Sequence, residues 1–169
     1  MSDSGLAIGL RRQAGLAIGL VIAAVLAVLA TWYVNSPADL PTSDSPVQAS
    51  TTAGRPVYLG MFAGDRGFDR TLHLSGVKVH ITANTEVEAV PYLCRDGSLS
   101  VTTEPEAFCG ELLNPEGQTF EPGDSIVLEV SGEETAIAVI DAVRLGFREG
   151  LQWGTQEAGS AAIVSIQGR

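Results

Sequence analysis

The chain has 169 residues, with 20 Asp and Glu against 10 Lys and Arg, and so carries a formal net charge of −10. Such a surface repels polyanions, which excludes nucleic acid and makes anionic lipid headgroups poor partners. Two cysteines are too few for a disulfide-dense scaffold, and 45% hydrophobic residues are too many for a disordered chain.

Residues 1–13 (MSDSGLAIGLRRQ) form a tail too short to bury a core of its own. The hexamer GLAIGL occurs at Gly5 to Leu10 and again at Gly15 to Leu20. That spacing is well short of solenoid and propeller periods, so we read a local duplication without chemistry.

Ala14 to Val34 follows as 21 residues without a charge. As a helix it would rise about 31 Å, enough for a ~30 Å hydrocarbon core. Arg11 and Arg12 precede it, and the first charges after it are Asp39 and Asp44. The positive-inside bias therefore predicts a single-pass span in the cell membrane, with a cytoplasmic N-terminus and an extracytoplasmic remainder. Trp32 and Tyr33 fall at the outer end, where aromatic rings favour headgroup depth. Along one i+4 row stand Gly15, Gly19, Ala23, Ala27 and Thr31, a small-residue ridge of the kind that packs helices in lipid. The ridge predicts a helix partner or a homodimer; the competing reading is a plain anchor. Cleavage after Ala27 or Ala30, as in a signal peptide, is the alternative to a permanent anchor and would yield a secreted protein. No cysteine closes the apolar run, which excludes a lipoprotein.

Residues 35–55 (NSPADLPTSDSPVQASTTAGR) are rich in Ser, Thr, Pro and Asp, with isolated apolar residues. Too little burial is available there to offset ordering, and a disordered Ser/Thr/Pro linker is expected.

Residues 56–169 carry short period-two runs punctuated by Gly, Pro and Asp: Val57 to Phe62, Thr71 to Ala83, Glu86 to Leu93, Leu99 to Thr103, Ser125 to Ser131, Thr135 to Phe147 and Ala161 to Ile166. About seven strands in this length predict an antiparallel β-sandwich. The stretch FEPGDSIVLEVSG, Phe120 to Gly132, resembles the turn-and-strand pattern of extracellular Ig-like modules. Its inward residues are Ile126, Leu128 and Val130, and Gly132-Glu133-Glu134 is expected to turn it into a hairpin. In Thr71 to Ala83 the apolar parity switches across Ser75-Gly76, which predicts a bulge at Gly76 and leaves His73 and His80 pointing outward. In Thr135 to Phe147 the odd positions Ile137, Val139, Val143, Leu145 and Phe147 form one face. Either the strand bulges at Ile140, or Asp141 is buried with a partner such as Arg144.

Few residues offer chemistry. Cys94 and Cys109, exported on this topology, are expected to form a disulfide worth ~3 kcal/mol in the chain-entropy model. From Asp96 through Asp141, both included, stand eleven Asp or Glu and no Lys or Arg. Glu104, Glu106, Glu111, Glu116 and Asp124 are scattered without the spacing of a calcium loop, so a solvated acidic face is expected and no metal or cofactor is implied. Gly64 to Arg70 (GDRGFDR) reads either as a binding loop or as a turn with internal ion pairs. Glu86 and Glu88 imitate a carboxylate dyad, but nucleophile elbows, zinc-protease motifs and phosphate loops are all missing from the sequence. Trp153, in a glycine-flanked loop, is either an exposed anchor for a partner or a plug at an open end of the sandwich. These readings converge on a non-catalytic, membrane-anchored binding or accessory module of an envelope, with the bilayer and a protein at its outer face as partners. Nine Arg against the single Lys78 point to a bacterial, high-GC source. An envelope hydrolase built on scattered carboxylates is the rival from another class.

Overall fold

The computed structural model describes residues 6–64 and 67–168, with side chains from residue 18 onward. A helix, α1 (Leu6–Val34), is followed by twelve strands. It begins earlier than Ala14 and runs through the Arg11-Arg12 pair, because nothing after Leu6 breaks it. Arg11, Arg12, Ala14 and Gly15 lie on its backbone but outside the described side chains. From residue 18 on, the helix has no charged face. Bulky residues such as Ile18, Val25, Leu29 and Trp32 are exposed on one side, and Gly19, Ala23, Ala27 and Ala30 occupy the other. The Thr31 hydroxyl donates back to the carbonyls of Val28 (2.8 Å) and Ala27 (3.0 Å). Among the described residues no helix is long and apolar enough to cross a membrane. Residues 18–34 account for roughly 25 Å of helix at ~1.5 Å per residue, short of a ~30 Å core. A helix is thus shown where the span is expected, and the span itself is not.

The strands are β1 (Thr42–Thr52), β2 (Val57–Ala63), β3 (Leu72–Lys78), β4 (Ile81–Ala83), β5 (Glu88–Arg95), β6 (Val101–Thr102), β7 (Glu111–Leu113), β8 (Thr119–Phe120), β9 (Ser125–Ser131), β10 (Ala136–Ile140), β11 (Val143–Glu149) and β12 (Gln152–Gln167). They build a sandwich of two sheets. One runs β4-β10-β12-β11-β3-β8 with β1 on the far edge of β12; the other runs β6-β2-β9-β5-β7. Every pairing is antiparallel except β1 with β12. The count exceeds seven because the long runs break where their inward face changes and because short strands form in loops.

The residues between helix and sandwich depart most from expectation. Thr42–Thr52 lies in the stretch expected to be a disordered linker, yet it pairs in parallel with β12 from Thr42 opposite Gly159 to Thr52 opposite Gln167. Val47, Ala49 and Thr51 alternate inward while Gln48, Ser50 and Thr52 stay exposed. The ladder satisfies the backbone of a strand whose side chains bury little, and the sandwich begins before residue 56.

The core lies between the sheets and includes Leu59, Leu72, Phe120, Ile126, Leu128, Leu145, Phe147 and Val164. The bulge at Gly76 is present: Gly146 pairs with Gly76 and Phe147 with Leu74, so Ser75 is the extra residue, and His73 and His80 are exposed. Thr135 to Phe147 is two strands, not one face. In β10 the inward residues are Ala136, Ala138 and Ile140, with Ile137 and Val139 exposed; in β11 they are Val143, Leu145 and Phe147. The break at Asp141-Ala142 shifts the parity and leaves Asp141 exposed, its amide bonded to the His80 carbonyl at 3.1 Å. Ile126, Leu128 and Val130 point inward as expected, but Gly132-Glu133-Glu134 carries the chain across to the other sheet, so β9 and β10 form no hairpin. Gly132 fits there because its backbone passes close to Ile166 and the Glu86 carbonyl.

Candidate functional site

Most of the exposed large apolar side chains lie along α1, with Leu151 and Trp153 exposed at the β12 tip, and the residues that tie helix and sandwich together belong to β12 and to Arg70. Helix α1 ends at Val34, with Asn35 bonding back to the Thr31 carbonyl through both its amide and its side chain. The chain then crosses the inner face of the β12 tip. Gln152 Nε2 donates to the carbonyls of Tyr33 (3.0 Å) and Ser36 (3.1 Å). Gln156 acts in both directions, donating to the Pro37 carbonyl (3.2 Å) and accepting from the Leu40 amide (2.9 Å). Pro37 sits on Gly154, where a Cβ would collide with the proline ring. Leu40 is buried in the main core, and the Gly159 amide bonds to the Pro41 carbonyl at 2.9 Å.

Arg70 closes the junction from the other side. It donates to Glu149 through Nε and Nη2, the shortest contact being 2.6 Å, and to the carbonyls of Ala38 and Asp39, both at 3.1 Å. Its guanidinium also lies near the rings of Phe68 (5.8 Å) and Phe147 (5.9 Å). The pair is largely withdrawn from water, with 17% of Arg70 and 28% of Glu149 side-chain surface exposed. The Gly64 to Arg70 stretch is therefore held from outside itself: Phe68 packs on Phe62 and Phe120, and Arg70 reaches β11 and the junction. Asp65 and Arg66 lie outside the described residues.

Trp153 does not plug the sandwich. Gln152, Gly154 and Gln156 face inward along β12, so Trp153 faces out, 54% exposed, with the Arg148 guanidinium 5.5 Å from its ring. The open end is filled by Pro37 and Leu40 instead. Leu151, at the tip of the β11–β12 turn, is 76% exposed, and across the junction Trp32 and Tyr33 are exposed at 69% and 58%.

Cys94 and Cys109 form the expected disulfide. It sits on the outer face of the five-stranded sheet with Val127, flanked by Tyr58, Leu99 and Leu112, and holds residues 97–110 against that face as a second small core. Beside it Asp124, 2% exposed, accepts Arg95 Nη1 (2.5 Å) and the amides of Asp96 (3.0 Å) and Glu121 (2.9 Å). Asp124 is thus committed to the fold, while Glu104, Glu106, Glu111 and Glu116 stand exposed. Among the described residues no three His, Cys, Asp or Glu gather as a metal would require. On the same outer face Tyr58 and Tyr92 stand near Glu129. Burial, then the Glu129 charge, pushes the Tyr58 hydroxyl up to about 12 and raises that of Tyr92. Glu86 and Glu88 are exposed.

A groove of about 710 Å³ opens between the junction and β2, lined by Met61, Phe62, Phe68 and Arg70 with the backbone of Gly60 and Gly159. Two of its polar members are taken: Arg70 by Glu149 and the junction carbonyls, Ser125 by the Gly97 carbonyl. Comparison with protein-family models, with curated proteins and with solved structures finds no match for this chain.

Sequence reasoning placed Cys94 and Cys109 together and singled out Trp153. It missed Gln152, Gln156 and Arg70, which position the junction. The available signal was the alternation of Gln152, Gly154 and Gln156, polar or small residues on the inward parity of a strand where an apolar row belongs.

Proposed function

We propose that the chain is a single-pass, membrane-anchored extracytoplasmic module of a bacterial envelope that works by binding, without catalysis, and that it holds its sandwich close to the bilayer. The observation that carries this reading is α1. Helices in water present a polar face, and a helix apolar all round belongs in a core or in lipid. From residue 18 to Trp32 this one has no charged face and its side chains are exposed, and the Thr31 hydroxyl is satisfied internally, as lipid demands. The disulfide supports an oxidising compartment for the sandwich. An envelope hydrolase would need polar groups converging in a cleft; the carboxylates here are exposed, paired with an arginine as Asp124 and Glu149 are, or set beside tyrosines on a sheet face as Glu129 is. Gly19, Ala23 and Ala27 lie open on the helix surface, available to a second helix or a second copy, while Gly15 lies outside the described side chains.

The test uses the full chain with a C-terminal epitope, expressed in a bacterium. The chain should remain in the carbonate-resistant membrane fraction, and protease added to spheroplasts should remove the epitope. Carbonate extraction would refute the anchor, and a protected epitope would refute the orientation.

A further inference from the structure

We infer that the tip of the β11–β12 turn, with Leu151 and Trp153, is a second membrane contact that seats the sandwich on the outer leaflet of the bilayer holding α1. The inference rests on the anchor proposed above and adds a surface to it. Gln152 donates to the carbonyls of Tyr33 and Ser36, so the tip is fastened to the last turn of the helix, at the level where Trp32 and Tyr33 would meet the headgroups. Leu151 and Trp153 flank Gln152 in sequence and are 76% and 54% exposed. Alternation along β12 turns Trp153 away from the junction that Gln152 holds. Trp32 and Tyr33 on α1 and Leu151 and Trp153 on the tip therefore stand exposed on the two elements that Gln152 links.

The chemistry of the patch fits an interface rather than a hydrocarbon core or a protein groove. Trp and Tyr prefer headgroup depth because the ring is apolar and its N–H or O–H stays wet. Arg148, over the Trp153 ring at 5.5 Å and exposed, supplies a guanidinium at the same place for a lipid phosphate. The net charge of −10 disfavours recruitment by anionic lipid, so the contact is aromatic insertion into a neutral surface. With the junction docked on β12, little free chain remains to let the sandwich swing away.

The two tryptophans of the chain make the test direct. Full-length Trp32→Phe, with Trp153 as sole reporter, and Trp153→Phe, with Trp32 as sole reporter, are reconstituted in phosphatidylcholine vesicles with and without bromine on the upper acyl carbons. Both reporters should lose emission in brominated vesicles, and Trp153 should be shielded from aqueous acrylamide relative to the same variant in dilute urea. Quenching of Trp32 with Trp153 unquenched and open to acrylamide overturns the seat while leaving the anchor intact. Absence of bromine quenching at Trp32 overturns the anchor and the seat together. Leu151→Asp in the Trp32→Phe background should reduce the quenching of Trp153; unchanged quenching would overturn the part given to Leu151 in the contact.

Discussion

Two irregular segments lie against this sandwich, and they are held in different ways. The loop from residue 97 to 110 is fastened by a covalent bridge and by a small core of its own around Cys94, Cys109 and Val127. The junction from Asn35 to Pro41 has no bridge and buries essentially one side chain, Leu40. It is held by donors and acceptors that reach its backbone from elsewhere, namely Gln152, Gln156 and Arg70. A segment poor in apolar residues is therefore ordered when the surface beneath it supplies the hydrogen bonds that water would otherwise provide. The instruction for that order is written in the recipient strand rather than in the segment.

Removing the loop's polar anchor should have the largest effect. Asp124→Ala leaves two backbone amides without their acceptor and the Arg95 guanidinium without its counter-charge, with only the Thr119 carbonyl to accept from it, and should cost about 3–5 kcal/mol in chemical denaturation. Loss of under 1 kcal/mol would mean that water replaces the carboxylate. Next comes the bridge: Cys94→Ser with Cys109→Ser should lower stability by ~3 kcal/mol and expose residues 97–110 to protease, while the junction remains resistant. If the junction loosened as well, the two segments would not be independent.

Arg70→Ala makes the converse change. It removes the bonds to Glu149 and to the carbonyls of Ala38 and Asp39, and should cost ~2 kcal/mol. Cleavage should appear between residues 35 and 41, with residues 97–110 still protected, as read by mass mapping of the fragments. The smallest effect concerns the face beside the bridge. The Tyr58 hydroxyl, near 12 when folded and 10.0 otherwise, keeps its proton longer in the native state. Its contribution to stability is complete below pH 10 and fades as pH rises toward 12, because the unfolded chain ionises first. Tyr58→Phe should therefore flatten the loss of stability between pH 10 and 12 in a urea titration; an unchanged slope would assign the alkaline sensitivity to other groups.

The legible parts of the fold were those in which a residue's own neighbours state its environment. Ile126, Leu128 and Val130 alternate strictly, the Leu74-to-Val77 parity switch marked a bulge, and two cysteines allow a single pairing. Illegible were features decided across the sheet. Ile137 and Val139 look like core residues in sequence, yet the break at Asp141-Ala142 hands the inward face of β10 to two alanines and Ile140. Trp153 looks like the natural plug for the end of the sandwich, but Pro37 and Leu40 take that place because Gly154 leaves a hollow for the proline. Val47, Ala49 and Thr51 do alternate, weakly, and only the parallel ladder with β12 makes a strand of them.

The docked junction makes its most direct claim at one amide, that of Leu40, which donates to Gln156 Oε1 at 2.9 Å beside a buried side chain. Hydrogen exchange of the full-length protein in nanodiscs, followed by fragment-resolved mass spectrometry, reads the segment that contains it. Slow exchange at Leu40 in the wild type, turning fast in Gln156→Ala while β9 stays protected, is the result expected of a junction held by β12. Exchange of Leu40 in the wild type at the rate of an unstructured peptide would contradict it and return residues 35–41 to a free tether.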